Sequence, residues 1–128
     1  LNDFQHFHNV RRLNEAFANC TSLLEVRFWE GLEELGDNCI GYCSFVRIVD
    51  FPSTIKHLGQ QFLRYPMNKN KGVVICRAKT PPGIHSYSTR INALTLYVPD
   101  DSLELYRADN NMTRFISTNI RPLSEYHK

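Results

Sequence analysis

Four cysteines, five histidines and a few paired carboxylates are the residues of this 128-residue chain best able to do chemistry. Cys39 and Cys43 stand four apart with His57 downstream, a combination that invites a zinc site. A closed zinc site takes four N or S ligands, usually with a close Cys pair among them. The chain offers neither a C-x-x-C pair nor a clear fourth ligand, so no metal is expected. His6 and His8 would share one face of a strand, because side chains alternate, but two ligands alone are a weak metal signal. Glu33–Glu34 and Asp100–Asp101 are adjacent rather than opposed, and nothing sets one carboxyl as acid and the other as base. They are expected to be a solvated turn and a helix cap. No nucleophile elbow, phosphate-binding loop or His-Glu-x-x-His pair is present. The residues predict neither catalysis nor a cofactor.

Composition narrows the classes further. Hydrophobic residues at 42% against 22% charged exclude disorder, and the length suits one domain. Fifteen basic against thirteen acidic residues leave a net charge of +2, far from the footprint of a nucleic-acid binder. No apolar run approaches the roughly 18 residues of a membrane span. The chain opens on Leu1 with neither initiator Met nor basic leader, so it is expected to be a processed or truncated product.

The elements that must position any site come from a repeat. Val26, Phe28, Leu32, Leu35, Gly36, Ile40 and Cys43 recur 23 residues later as Val49, Phe51, Ile55, Leu58, Gly59, Leu63 and Pro66. Going back 23 from Ile40 and Cys43 finds Phe17 and Cys20. A unit this short cannot bury its own apolar face, so it must stack on its neighbours as a solenoid. Alternation in Leu23–Phe28 and Val46–Phe51 predicts one short strand per unit, with Val26, Phe28, Val49 and Phe51 facing inward. Pro52 should end its strand, and Gly36 and Gly59 are read as tight-turn positions. By the same alternation Arg27, Ile48, Asp50, Ile75, Thr95 and Tyr97 point outward. Ile48 and Ile75 are apolar where water is expected, which makes this face a candidate binding surface; ordinary surface hydrophobes, covered by the 66–72 loop, are the alternative. Cys20 and Cys43 hold equivalent places in adjacent coils, near enough for a disulfide, though small buried thiols are the default expectation.

Several segments resemble the BspA-type leucine-rich-repeat family. Leu35–Cys43 is similar to its I-G-x-x-A-F-x-x-C signature, and Ala16–Cys20 carries the A-F-x-x-C part more closely. Phe51–Gly59 follows the L-P-x-x-L-x-x-I-G pattern. Cys76–Pro82, Leu96–Pro99, Tyr106, Phe115 and Ile120–Leu123 resemble the terminal unit of such arrays. The chain departs from the pattern at Trp29, where the family usually has proline, at Cys39 and Ile40 in place of Ala-Phe, and at Met112, where tryptophan is common.

The resemblance implies an α/β fold: a right-handed leucine-rich-repeat solenoid with a short parallel β ladder, few short helices and a C-terminal closing unit. One domain spans 1–128, with a lead-in segment at 1–12, repeats over 13–93 and the closing unit at 94–128. Within that unit Leu94, Leu96 and Val98 form the final strand. Asp101–Glu104 starts a helix in the manner of a capping box, Asn110–Asn111 breaks it, and Pro122 ends regular structure. The resemblance further implies a non-enzymatic, exported module at a bacterial surface that binds host matrix, host cells or other bacterial surface proteins. It implies no nucleic acid, no membrane insertion and no cofactor. The glycosylation patterns at Asn19 and Asn111 are then accidental. A terminal module of a phage virion or tail, or a targeting module attached to an enzyme, are the alternatives.

Overall fold

The computed structural model describes residues 9–14, 24–40, 46–63, 67, 71–86, 88 and 90–127. Two parallel sheets wind through the chain. The five-stranded sheet runs β2 (Glu25–Arg27), β4 (Ile48–Phe51), β6 (Val73–Cys76), β8 (Thr95–Val98) and β9 (Ile120–Pro122). The second sheet stacks four two-residue rungs: β1 (Arg12–Leu13), β3 (Glu34–Leu35), β5 (His57–Leu58) and β7 (Gly83–Ile84). The coils that begin at β2, β4 and β6 thus contribute one rung to each sheet. The 23-residue alternation locates the first sheet; the second carries two residues per coil, too few to alternate visibly, and Glu34, expected in a turn, is a strand residue.

The core lies between the sheets. Val26, Phe28, Val49 and Phe51 all face into it, joined by Val74, Cys76, Leu96 and Val98 from later coils and by Leu35, Leu58 and Ile84 from the second sheet. Phe28 stacks on Phe51 one coil above, with ring centroids 5.7 Å apart and planes 6° from parallel. Phe51 in turn pairs in register with Cys76. A thiol therefore continues the row that two phenyl rings begin. Strand β4 ends at Phe51, immediately before Pro52, as a missing ladder donor requires. In the equivalent place Trp29 is buried, and its indole N–H donates to the Val10 carbonyl at 2.8 Å. That bond ties the start of the described chain to the coil above it.

Gly36 and Gly59 serve close approach, not turn geometry. Neither has positive φ; among the described residues that conformation belongs to Gly31, Asn38, Gln61 and Asn92. The Gly36 amide donates to the Leu13 carbonyl at 2.6 Å, and Gly59 to Leu35 at 2.7 Å. A Cβ on Gly59 would lie 2.8 Å from the Gly36 carbonyl carbon and 2.9 Å from the Asp37 amide. Both neighbours are backbone and cannot step aside. Asn38 and Gln61, 23 residues apart, repeat the left-handed corner just beyond each glycine.

The closing region also differs from expectation. A 3-10 turn (Asp100–Ser102) leads into α1 (Leu103–Ala108), but no side-chain capping bond forms. Ser102 instead donates to the Lys79 carbonyl of the preceding coil at 2.7 Å. The helix stops at Asp109, whose carboxylate accepts from the amides of Asn111 and Met112 and starts a π-helical segment, Met112–Ile116. The final strand is β9, not Leu94–Val98, and it pairs parallel with β8. Leu96 donates to the Asn119 carbonyl at 2.9 Å, so Ile120 and Pro122 turn their peptide groups toward the unpaired edge. Arg107 caps the Ile120 carbonyl there with two bonds of 2.8 and 3.1 Å. Pro122 offers no amide. An edge that could recruit another chain is blunted at both positions.

The glycine geometry sets a direct test. Gly59→Ala should lower stability by about 1–3 kcal/mol, the usual cost of forcing atoms into a packed site. Gly83→Ala, whose Cβ would meet nothing nearer than His57 Nδ1 at 3.5 Å, should stay within about 0.5 kcal/mol. Urea denaturation of both variants checks this, and equal losses would contradict close packing as the reason for Gly59.

Candidate binding face

Parallel register turns the outward residues into rows. Arg27, Asp50, Ile75, Tyr97 and Arg121 occupy successive rungs of one row. Glu25, Ile48, Val73 and Thr95 form a second row beside it. All six outward residues expected from the alternation thus fall on one face of the five-stranded sheet, opposite the core.

That face is less open than alternation alone suggests. Arg27, Ile48 and Tyr97 are half-buried, whereas Asp50, Thr95 and Ile75 are buried, Ile75 completely. Ile75 is nevertheless outside the inter-sheet core. The end of the chain reaches this face. Tyr126 packs edge-on against Tyr97 at 5.1 Å and borders one groove with Arg27. Arg27 and Tyr97 bracket Asp50 and Ile75 in the row. Asn119 closes Thr95, donating to its Oγ1 at 3.1 Å and to the Leu94 carbonyl at 3.3 Å. The 66–72 loop, the expected alternative cover, lies outside the described residues except at Met67, Lys71 and Gly72.

Asp50 is held by two arginines. Arg77 grips both carboxylate oxygens, Nε to Oδ1 at 2.9 Å and Nη2 to Oδ2 at 3.0 Å, while Arg27 adds Nη1 to Oδ2 at 2.9 Å. Arg27 also donates twice to Glu25. Partial burial alone would depress the Arg27 pKa, but the bonds to Tyr126, Asp50 and Glu25 outweigh it and raise it. Arg77 is raised chiefly by its bond to Asp50. The network fixes the middle of the face rather than leaving charges to a ligand.

Beside it runs a groove of about 360 Å³. Ile48 and Val73 supply its apolar floor, and Tyr126 and His127 border it; Arg27, Arg47, Lys71 and Glu25 also line it. Val73 and Glu25 could have been found by extending the alternation two residues toward the start of each strand. Arg47 and Lys71 stand just before β4 and β6, where polar residues draw no notice. Nothing in the local pattern points to Tyr126 or Arg77.

The residues weighed for other chemistry sit elsewhere. Cys39 and Cys76 are buried thiols. Cys76 lies 3.2 Å from the Tyr106 hydroxyl, which itself donates to the Ala78 carbonyl at 2.6 Å. Burial pushes the Cys76 thiol up to about 11. Among the described residues no group of three His, Cys, Asp or Glu side chains could hold a metal. Cys20, Cys43, His6 and His8 lie outside the described residues, and with them the Cys20–Cys43 pairing. Among the described residues no helix is long and apolar enough to cross a membrane.

The arginine network and the buried thiol each have a measurable consequence. Asp50→Ala, which leaves two arginines facing each other without their anion, should cost about 1–3 kcal/mol in urea denaturation. Arg27→Ala, which leaves the two-pronged Arg77 grip intact, should cost less. The thiol gives a pH dependence. Unfolded Cys76 titrates near the ordinary value of about 8.5, so between roughly pH 9 and 11 the unfolded state binds fewer protons and stability must fall as pH rises. Denaturation midpoints across that range should decline for the parent chain and decline less for Cys76→Val; parallel declines would remove the thiol as a cause.

The family model described as the BspA type leucine rich repeat region (6 copies) matches residues 2–71. No curated protein and no solved structure matches the chain.

Proposed function

We propose, from the premise that the chain belongs to the BspA-type leucine-rich-repeat family, that it is an adhesion module that grips protein partners on the outer face of its five-stranded sheet. Leucine-rich repeats serve as protein-interaction modules, and nothing in this reading requires chemistry. The observation that carries it is the pair Ile48 and Val73. They stand half-buried on the floor of a groove, on a face where Ile75 is completely buried and Tyr97 packs against Tyr126. Half-exposed apolar surface rimmed by arginine and tyrosine is the composition of a contact surface. The finer reading is export to a bacterial surface, with a matrix protein, a host-cell protein or another bacterial surface protein as partner. Ile48, Tyr97 and Arg27 would make contact, and Asp50, Ile75 and Thr95 would support them from beneath.

Biolayer interferometry against a panel of immobilised extracellular-matrix and bacterial surface proteins tests this. At least one saturable interaction is expected, weakened about tenfold or more by Ile48→Asp, a loss of roughly 1.4 kcal/mol. Leu105→Asp, at an exposed apolar position on α1 away from the face, should leave binding unchanged, with thermal melting checking that both variants fold. Loss with Leu105→Asp but not with Ile48→Asp would put the contact elsewhere, and a panel without any saturable interaction would remove adhesion.

A further inference from the structure

We propose that the groove beside β4 and β6 takes an acidic peptide segment, its carboxylates held by Arg47 and Lys71 and an apolar side chain seated on Ile48 and Val73. This rests on the reading of the face as a protein-binding surface and specifies the partner's chemistry there.

Charge within the groove does not balance. Among the described residues three cations line it, Arg27, Arg47 and Lys71, with His127 beside them, against a single carboxylate, Glu25. Glu25 is already taken, since Arg27 donates to it through Nε at 3.2 Å and Nη2 at 3.1 Å. Arg27 is itself engaged by Glu25 and Asp50. Arg47 and Lys71 remain. Both are exposed, and neither has an ion-pair partner among the described residues. The ladder brings them to the same end of the strands. Ile48 pairs with Val73, whose amide donates to the Arg47 carbonyl at 2.7 Å, so Arg47 lies beside Gly72 of the adjacent coil with Lys71 one residue before it, and both line the groove. Whole-chain charge is only +2, so two cations in one groove without an ion-pair partner among the described residues are a local concentration, not an overall bias.

The floor selects among anions. Ile48 and Val73 are in register and half-buried, and a bare inorganic anion would gain nothing from them. A chain alternating carboxylates with apolar side chains satisfies both features together: charge goes to the rim and an apolar group to the floor. An extended peptide repeats on one side every two residues, which suits a groove of about 360 Å³.

Fluorescence anisotropy would use three labelled peptides of about ten residues: one alternating Glu with Leu and Phe, one with Gln for every Glu, and one with Lys for every Glu. The acidic peptide should bind saturably, the Gln peptide at least tenfold more weakly and the Lys peptide not at all. Raising salt from about 50 to 500 mM should weaken the acidic peptide severalfold by screening. Arg47→Glu combined with Lys71→Glu should cost at least tenfold, with melting unchanged, and Lys79→Glu away from the groove should cost nothing. Equal binding of Gln and Glu peptides, or loss with Lys79→Glu alone, would overturn the proposal. Binding of a sulfated polysaccharide with no binding of the acidic peptide would overturn it also. Its failure is separable from failure of the adhesion reading. If Ile48→Asp abolishes capture of a matrix protein while Arg47→Glu with Lys71→Glu does not, the face binds proteins but the acidic partner is wrong. If the acidic peptide binds as expected and no panel protein does, the groove stands and matrix adhesion falls.

Discussion

Successive coils of this chain stack at the separation of parallel strands, about 4.8 Å, and every other feature answers to that distance. At such a spacing each residue meets its equivalent one repeat away, so a side chain is acceptable only if its own copy can sit above it. Phe28 and Phe51 satisfy the condition by lying flat on each other. Gly36 and Gly59 satisfy it by having no side chain, since backbone from the coil before occupies the Cβ position. The consequence is a core organised as rows, in which Cys76 is a small buried filler at the end of an aromatic row and not a reactive thiol.

The same spacing decides what becomes of polar groups at the corners, where a tightly wound chain leaves amides and carbonyls outside either ladder. Side chains from the neighbouring coil satisfy them. The Glu30 carboxylate accepts from the Ser53 amide and hydroxyl; Thr54 accepts from the Gly31 amide and donates to the Leu32 carbonyl; Asp37 accepts from the Gln60 amide. All these partners stand 22 or 23 residues apart. Ser102 and Lys79 repeat the device in the closing region, which explains why a serine at a helix start declines its usual capping bond. The link to function is rigidity, because a face built on corners tied in this way presents its side chains in fixed rows.

The end of the chain performs two tasks with one excursion. Strand β9 extends the sheet by a fifth rung, and Arg107 and Pro122 blunt its outer edge. The chain then turns back through Leu123–Glu125, and Asp100 accepts from the Ser124 amide at 3.0 Å, pinning the return. Hydrogen bonding from Ser124 holds the Asp100 carboxyl below its ordinary value, so this anchor is charged at neutral pH. Beyond the turn, Tyr126 lies across the outer face. Closing the solenoid therefore also reshapes the surface available to partners, setting Tyr126 against Tyr97 and bordering a groove over Ile48 and Val73.

Within one repeat, residue order alone carries most of the information. Period, inward and outward alternation, the stop at Pro52 and the family were all legible, because a solenoid's contacts are between equivalents and its pattern is local. Glycine at 36 and 59 was legible as necessary, though its reason is steric contact between coils and not a turn. The second sheet was not legible, since two residues per coil carry no periodicity. The face was legible as six outward residues; their rows and their occupancy were not. Asp50 is buried beneath Arg27 and Arg77, Ile75 is buried on the outer face, and Arg47 and Lys71 come to one groove only through the pairing of β4 with β6. Those facts depend on unequal insertions between strands and on a tail that returns across the sheet, long-range pairings that no local spacing encodes. Which outward residues meet water was settled by the folded chain, through contacts between segments far apart in sequence.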